Sequence, residues 1–449
     1  MSAFEQTIPD GYKQTEVGVI PEDWIVEPLE SFTSFISYGF TNPMPTVYDG
    51  PPMITARDIN QGRIQYSTAR CTSEDAFKKL LTPKSKPKAN DLLLTKDGTL
   101  GRLALVDKED ICINQSVALL RPNSKINPSF FKLLLESPYY QEKMLDDAGG
   151  STIKHIYITI VNRMLLGLPS ELQEQTAIAN ALSDVDALLT ELEKLISKKQ
   201  AIKTATMQQL LTGKTRLPQF SSFTQGQKQG QPKGTKSSEL GEIPEDWDVR
   251  KFKDITTLIT CGIAATPTYV PESQGYPFLS STNIKNGNIV WENYKHIDKN
   301  LHRHLYKNNP PLVGDILYSR VGTIGEAAVI ESDFEFSVYV SLTLIKPQKE
   351  LMNSHYLAQL LNSTPYKNRA KEQVYLGGGV GNLNVEIVRS YPILIPPKEE
   401  QTAIATILSD MDNEIQTLEK RLAKTRQIKQ GMMQELLTGR IRLPFDKEQ

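Results

Sequence analysis

A helical run of about forty residues occurs twice in this chain, and no other feature limits its fold so much. EQTAIANALSDVDALL starts at Glu174 and EQTAIATILSDMDNEI at Glu400. The runs end in QQLLTGKTRLP, from Gln208, and QELLTGRIRLP, from Gln434; the offset is 226 residues at both ends, so the copies align without a gap. From Ile178 the apolar positions are Leu182, Val185, Leu189, Leu192 and Ile196; from Ile404 they are Leu408, Met411, Ile415, Leu418 and Leu422. Steps alternating between four and three residues make an a/d coiled-coil seam. Both copies resume six residues further on, at Ile202 and Ile428. That shared break predicts that these positions face each other across a pseudo-twofold axis.

Each helix would measure roughly 60 Å at 1.5 Å per residue, far beyond an average globular helix. The terminal thirds are basic (Lys198, Lys199, Lys203; Lys424, Arg426, Lys429) rather than apolar all round. Parallel packing would make the short segment between the halves retrace that length almost fully extended. The expectation is therefore an antiparallel pair acting as a rod. Each helix is entered through a Pro-marked start, LPSELQEQ or IPPKEEQ. One globular unit would then sit at each end.

The rest of the chain repeats as well. GVIPEDWIVEPLE, from Gly18, recurs as GEIPEDWDVRKFK, from Gly241; GTLG at 98–101 recurs as GTIG at 322–325. VALLRP (117–122) aligns with LTLIKP (342–347), and SPYYQEKM, from Ser137, is echoed by TPYKNRAK, from Thr364. Gly149-Gly150 matches the run Gly377 to Gly379. Such a tandem duplication divides into a domain at 1–169, a long helix at 170–218, a Gln/Gly/Ser/Lys-rich linker at 219–240, a second domain at 241–396, and a second helix with its tail at 397–449. Within each domain MITARDINQGRIQY and FLSSTNIKNGNIVW read as strand–turn–strand, with Gln61-Gly62 and Asn286-Gly287 at the turns. DLLLTKDGTLGRLALV and DILYSRVGTIGEAAVI do the same around a glycine turn, while 128–145 and 353–370 have helical spacing broken by one Pro. The fold class is mixed α/β.

Several functions are disfavoured. No apolar run approaches a membrane span, the polar N-terminus is no signal peptide, and three isolated cysteines, Cys71, Cys112 and Cys261, suit a reducing cytoplasm. A net charge of −1 means that any nucleic-acid surface is a local patch. TGKT at 212–215 lacks the leading glycine and strand of a phosphate loop and reads as a helix cap at Gly213, as does Thr-Gly-Arg at 438–440. GTLG and GTIG lack dinucleotide-loop spacing. His296, His302 and His304 have no second ligand motif beside them. HExxH, GxSxG, CxxC and the Asn/Asp-Pro-Pro-aromatic motif of adenine methyltransferases are missing, so no active site or metal site is expected.

IPEDW opening each half, the Gly-Thr-x-Gly turns and P-x-x-E-Q-x-x-I leading into the second long helix (P-x-x-x-x-E-Q-x-x-I into the first), in duplicated order over essentially the whole chain, resemble the specificity (S) subunit of type I restriction–modification systems. The resemblance implies two target-recognition domains, each reading one half of a bipartite, asymmetric DNA site. It implies helices that set the gap and dock two methyltransferase (M) subunits, with restriction/motor (R) subunits joining them. It implies no cofactor in this chain: S-adenosylmethionine would belong to the methyltransferase, ATP and Mg to the motor.

Base edges are read by Arg, Lys, Asn, Gln, Ser or Thr on loops that can enter a groove. In the first domain the candidates are Thr55, Arg57, Asn60, Lys96, Thr99 and Arg102, with Lys154 and His155 after the glycine pair. In the second they are Ser280, Thr282, Asn283, Lys285, Ser319, Arg320 and Thr323, with Asn382 and Asn384 after the glycine run. Trp24 and Trp247 read as packing residues. Two alternatives stay open at this point: an enzyme with degenerate motifs, and a coiled-coil scaffold for proteins.

Overall fold

The structure, a computed structural model, describes residues 8–146, 154–376 and 381–444. The glycine runs at 149–150 and 377–379 lie outside them. Two compact units form, one from residues 1–192 and 421–449, the other from 193–420. Each therefore takes one globular domain, the first part of that domain's long helix and the last part of the other helix.

In the first unit a four-stranded antiparallel sheet runs in the order Leu103–Leu105, Leu92–Thr95, Val117–Pro122, Thr33–Tyr38. The second unit repeats it as Ala327–Val329, Ile316–Ser319, Leu342–Pro347, Thr256–Cys261. The central strands are buried along their whole length, which accounts for their unbroken apolar runs LLL and ILY. A three-stranded sheet lies beside each: Cys112–Ile113, Val47–Ile54 and Arg70–Cys71, or Ser337–Val338, Gly275–Leu279 and Lys295–Asp298. The Gln61-Gly62 and Asn286-Gly287 hairpins have positive φ at both residues (50° and 71°; 51° and 79°), the pair that a two-residue turn between twisted strands requires. Each single Pro splits its helical stretch, giving Pro128–Glu136 and Pro138–Asp146 in one domain, Ser354–Asn362 and Thr364–Leu376 in the other.

The long helices span Leu172–Leu210 and Lys398–Leu436 and pair antiparallel within each unit. In the first unit Asp186 meets Lys429 at 2.7 Å. In the second, Lys199 meets Glu414 at 2.7 Å and Lys203 meets Asp412, partners falling in number on one helix as they rise on the other.

Three readings of the sequence are corrected. The seam does not break. Beyond Ile196 the a/d frame runs on through Lys199, Lys203, Thr206 and Leu210, and beyond Leu422 through Thr425, Lys429, Met432 and Leu436, all buried or half-buried. Ile202 and Ile428 stand off it, 42% and 48% exposed, so they do not face each other. A lysine can hold a seam position because its alkyl stem packs inward while its ammonium reaches a flanking carboxylate; Lys203–Asp412 and Lys429–Asp186 are the same pair, 226 residues apart. Of the named seam positions Ile178, Leu182, Leu192, Ile196, Ile404, Leu408 and Ile415 are buried; Val185, Leu189, Met411, Leu418 and Leu422 are half-buried.

The segment 219–240 is also not a featureless linker. Thr235–Ser238 pairs with Gly241–Pro244 as Tyr12–Thr15 pairs with Gly18–Pro21. Backbone hydrogen bonds from Glu22 to Gly11 and from Glu245 to Gly234 match. The repeat thus starts at Pro9-x-Gly11 and Pro232-x-Gly234, and half of the apparent linker is the opening hairpin of the second domain. Residues 221–233 are themselves laddered, Phe223 and Gln231 exchanging register through Gly230. The third correction is a slip of one residue: Tyr140, not Tyr139, corresponds to Tyr366. Both are buried with their hydroxyls on backbone atoms, of Gly167 and Pro392.

Candidate nucleic-acid interface

Each unit is tied by one arginine. Arg216, just past the first helix, sends Nε and Nη2 to the carboxylate of Glu400, both at 2.6 Å. Its Nη1 and Nη2 reach Asp246 at 2.9 and 3.2 Å. Arg442, past the second helix, grips Glu174 and holds Asp23 with two bonds of 2.9 Å. Arginine's planar fork suits this double bidentate geometry, and lysine would not replace it. Asp23 and Asp246 belong to IPEDW, the glutamates to the repeated EQTAI, and the arginines to TG-x-x-RLP. The three repeated motifs are parts of a single ion-pair knot.

Their remaining residues fasten the same corner. The Gln175 and Gln401 side chains each accept from a helix-capping asparagine's backbone N–H, of Asn127 or Asn353, at 2.8 Å. Each donates to two carbonyls as well. Gly213 and Gly439 cap their helices at φ +69° and +71°; a Cβ there would stand 2.6 and 2.5 Å from Pro244 and Pro21. Trp24 and Trp247, 1% exposed, pack against these glycines as core residues.

On this frame three loops of each domain converge. A 3-10 turn, Ala56–Asp58 or Ser281–Asn283, is fixed by a capping box and by a serine hydroxyl, Ser116 to the N–H of Ala56 (3.0 Å) and Ser341 to that of Ser281 (2.9 Å). The Gly-Thr-x-Gly turn abuts it: Arg102 donates to the Ile59 carbonyl at 3.0 Å, and Thr323 to the Ser281 carbonyl at 3.2 Å. The third loop bridges the glycine turn at His155–Asp97 and at Asn382–Val321.

The candidates separate into two groups. Arg57, Asn60, Thr99 and Lys154 in the first domain, and Thr282, Lys285, Thr323 and Asn382 in the second, are exposed around this convergence, with His155 half-exposed. The others are corrected to scaffold. Thr55 and Ser280 form the capping boxes. Asn283, 2% exposed, bonds the carbonyls of Val290 and Glu292. Ser319 is buried, its hydroxyl on the Thr323 carbonyl. Arg320, 7% exposed, gives Nε to the Leu383 carbonyl at 2.9 Å, and Asn384 caps Val385–Arg389. Arg102 is half-buried and bound to backbone.

Lys96 is paired with Asp97 at 2.7 Å and lies 5.6 Å above the Tyr38 ring, a half-exposed aromatic that residue type alone did not single out. Burial alone would raise the Asp97 carboxyl; hydrogen bonds from His155 and Lys96 outweigh it and hold the group below the usual range. Ser116 and Ser341 were also missed. Their signal was available, a serine ahead of the same strand in both halves.

Among the described residues no group of His, Cys, Asp and Glu is placed to hold a metal. His302 is buried against Tyr276, ring centroids 3.9 Å apart, while His304 is exposed. Cys112 is buried, its thiol pushed up to about 12 by desolvation. No helix of the described residues is long and apolar enough to cross a membrane.

The fold and these loops define a duplicated, two-domain recognition protein with paired long helices. The family described as type I restriction modification DNA specificity domain matches residues 45–204 and 244–429, and the chain belongs to that family. The type I restriction enzyme MjaVIII specificity subunit of Methanocaldococcus jannaschii is 24% identical over 97% of this chain and 96% of its own length. A protein of the same organism assigned as the MjaX specificity subunit is 33% identical, over 45% of this chain; there the match spans about half of the relative, 48%. The crystal structure of a type I S subunit from M. genitalium has the same fold, with a TM-score of 0.58 at 15% identity over 95% of this chain and 97% of that one. The chain is thus a specificity subunit, the recognition component and not the catalytic one.

Proposed function

We propose that each unit reads one half of a bipartite, asymmetric DNA site through its three converging loops. The carrying observation is a contrast within one turn. The residues that hold the turn repeat (Thr55 and Ser280, Asp58 and Asn283, Ser116 and Ser341), whereas the exposed ones differ: Arg57 against Thr282, Asn60 against Lys285. A fixed frame carrying variable donors is what two different half-sites require.

The paired helices set the gap and dock two adenine-N6 methyltransferase subunits, and motor–nuclease subunits join that core in the cytoplasm. Support for docking is the apolar surface left off the seam: Leu188, Leu195 and Ile202 recur every seven residues on the first helix and are 38–42% exposed, and Ile428 is exposed on the second. S-adenosylmethionine, ATP and Mg are carried by those partners. Adenine methylation needs the base out of the stack, so this subunit holds the duplex while its partner flips the base.

Methylome sequencing of a host expressing this chain with the neighbouring methyltransferase, against a strain lacking only this chain, tests the reading. Loss of a bipartite adenine motif with a fixed gap is the expected result. An unchanged methylome with the partner expressed would overturn it.

A further inference from the structure

The helix Lys299–Asn308 of the second domain has no chemical counterpart in the first. Its sequence, KNLHRHLYKN, contains three full cations and no carboxylate. Lys299, Arg303 and Lys307 lie four residues apart on one exposed face, joined there by Asn300, His304 and Asn308. Among the described residues none of the three cations has an ion-pair partner. The opposite face is anchored. His302 is 1% exposed, stacks on Tyr276 and sits with Nδ1 3.0 Å from the Ser337 hydroxyl. The helix packs across Gly275–Leu279, the strand that runs directly into the recognition turn at Ser280. At the same place in the first domain, Glu74–Leu80 carries two acids and two lysines, closed on themselves as Lys78–Glu74 (3.2 Å) and Lys79–Asp75 (2.7 Å).

Four residues of helix rise about 6 Å, so the three cations extend over about 12 Å. A nucleic-acid strand presents one phosphate charge per roughly 3.4 Å of axis, three to four of them over that distance. We propose, resting on the DNA-reading role above, that Lys299, Arg303 and Lys307 form a phosphate-backbone contact belonging to the second unit alone. It adds affinity without base information and makes the two units unequal: the first binds by its reading loops, the second by its loops and this helix.

The experiment is salt-dependent binding of the full-length chain, purified with its methyltransferase subunits, to a 30-base-pair duplex of scrambled sequence between 50 and 200 mM KCl. K299Q/R303Q/K307Q should lower affinity for scrambled and target duplexes alike. It should also flatten the slope of log K against log salt by up to about 2.7, so the parent's advantage shrinks roughly 40-fold across that range. K78Q/K79Q, in the self-paired helix, should leave the slope where it was. Glutamine keeps helix propensity, and unchanged circular dichroism confirms the fold. A triple variant with the parent's slope, or one losing target discrimination instead, overturns the inference and leaves the reading role standing. A parent that binds neither duplex overturns both.

Discussion

The two units share a frame and differ in how tightly it is closed. In the second, Arg216 is 11% exposed, Glu400 1% and Asp246 21%; Lys233 adds a bond to Asp246 at 2.7 Å, and Trp247 Nε1 donates to Glu400 at 3.0 Å. In the first, Arg442 is 31% exposed and Asp23 53%, and the buried Trp24 Nε1 has no acceptor. The same motifs therefore make a dry knot at one site and a wetter one at the other. A buried ion pair is costly to break from one side because the surviving charge stays desolvated, while an exposed one is rehydrated.

That difference can be broken by mutation. Arg216→Ala should cost about 3–5 kcal/mol by leaving Glu400 buried and unpaired. Arg442→Ala should cost less, about 2–3 kcal/mol, because Glu174 is left as buried as Glu400 but water reaches Asp23. Denaturant unfolding of the full chain measures both; equal losses would mean that Trp247 and Lys233 contribute nothing.

Gly213→Ala and Gly439→Ala should each destabilise by about 2–4 kcal/mol, from the left-handed φ and the clash with proline. Here the units should behave alike, their proline contacts agreeing to a tenth of an ångström. A neutral alanine at either position would contradict the close approach.

Asp246 supplies a pH test. Burial would raise its carboxyl, but the bonds from Arg216 and Lys233 hold it below the ordinary 3.8. A depressed carboxylate stabilises the fold above its unfolded-state value, and that contribution is lost as pH falls through the folded-state value. Asp246→Asn should therefore cost about 1.5–3 kcal/mol near pH 7, with the gap to the parent closing below about pH 3.8. A gap that stays constant with pH would show that the charge is not involved.

Arg57→Ala should relax base preference at one position of the first half-site by about 1–3 kcal/mol and leave the second half-site untouched. Methylation-site profiling reads this directly. The smallest effect belongs to the helices: Ile202→Gln or Ile428→Gln should change stability by no more than about 0.5 kcal/mol, being off the seam, whereas Ile196→Gln should cost several times more.

Sequence alone determined the duplication, the two mixed α/β domains, the antiparallel long helices and the family. Those follow from periodicity, spacing and repeated motifs, which are local and survive without coordinates. The glycine caps at Gly213 and Gly439 and the packing role of the tryptophans were legible for the same reason. The seam was read too strictly, because Lys203 and Lys429 look like surface residues until a partner aspartate on the other helix is known. The start of the second domain was hidden because QPKGTKSS has the composition of a linker, and only its pairing with Gly241–Pro244 shows a strand.

The site was half legible. Residue type and loop position picked out three loops that the fold brings together, but could not separate Arg57, which is exposed, from Arg320, whose guanidinium is spent on a backbone carbonyl. Tertiary structure alone decided that, because whether a polar side chain is free depends on partners far away in sequence. The same reason covers the ion-pair knots: Arg442 and Asp23 are 419 residues apart, and no local pattern could have joined them.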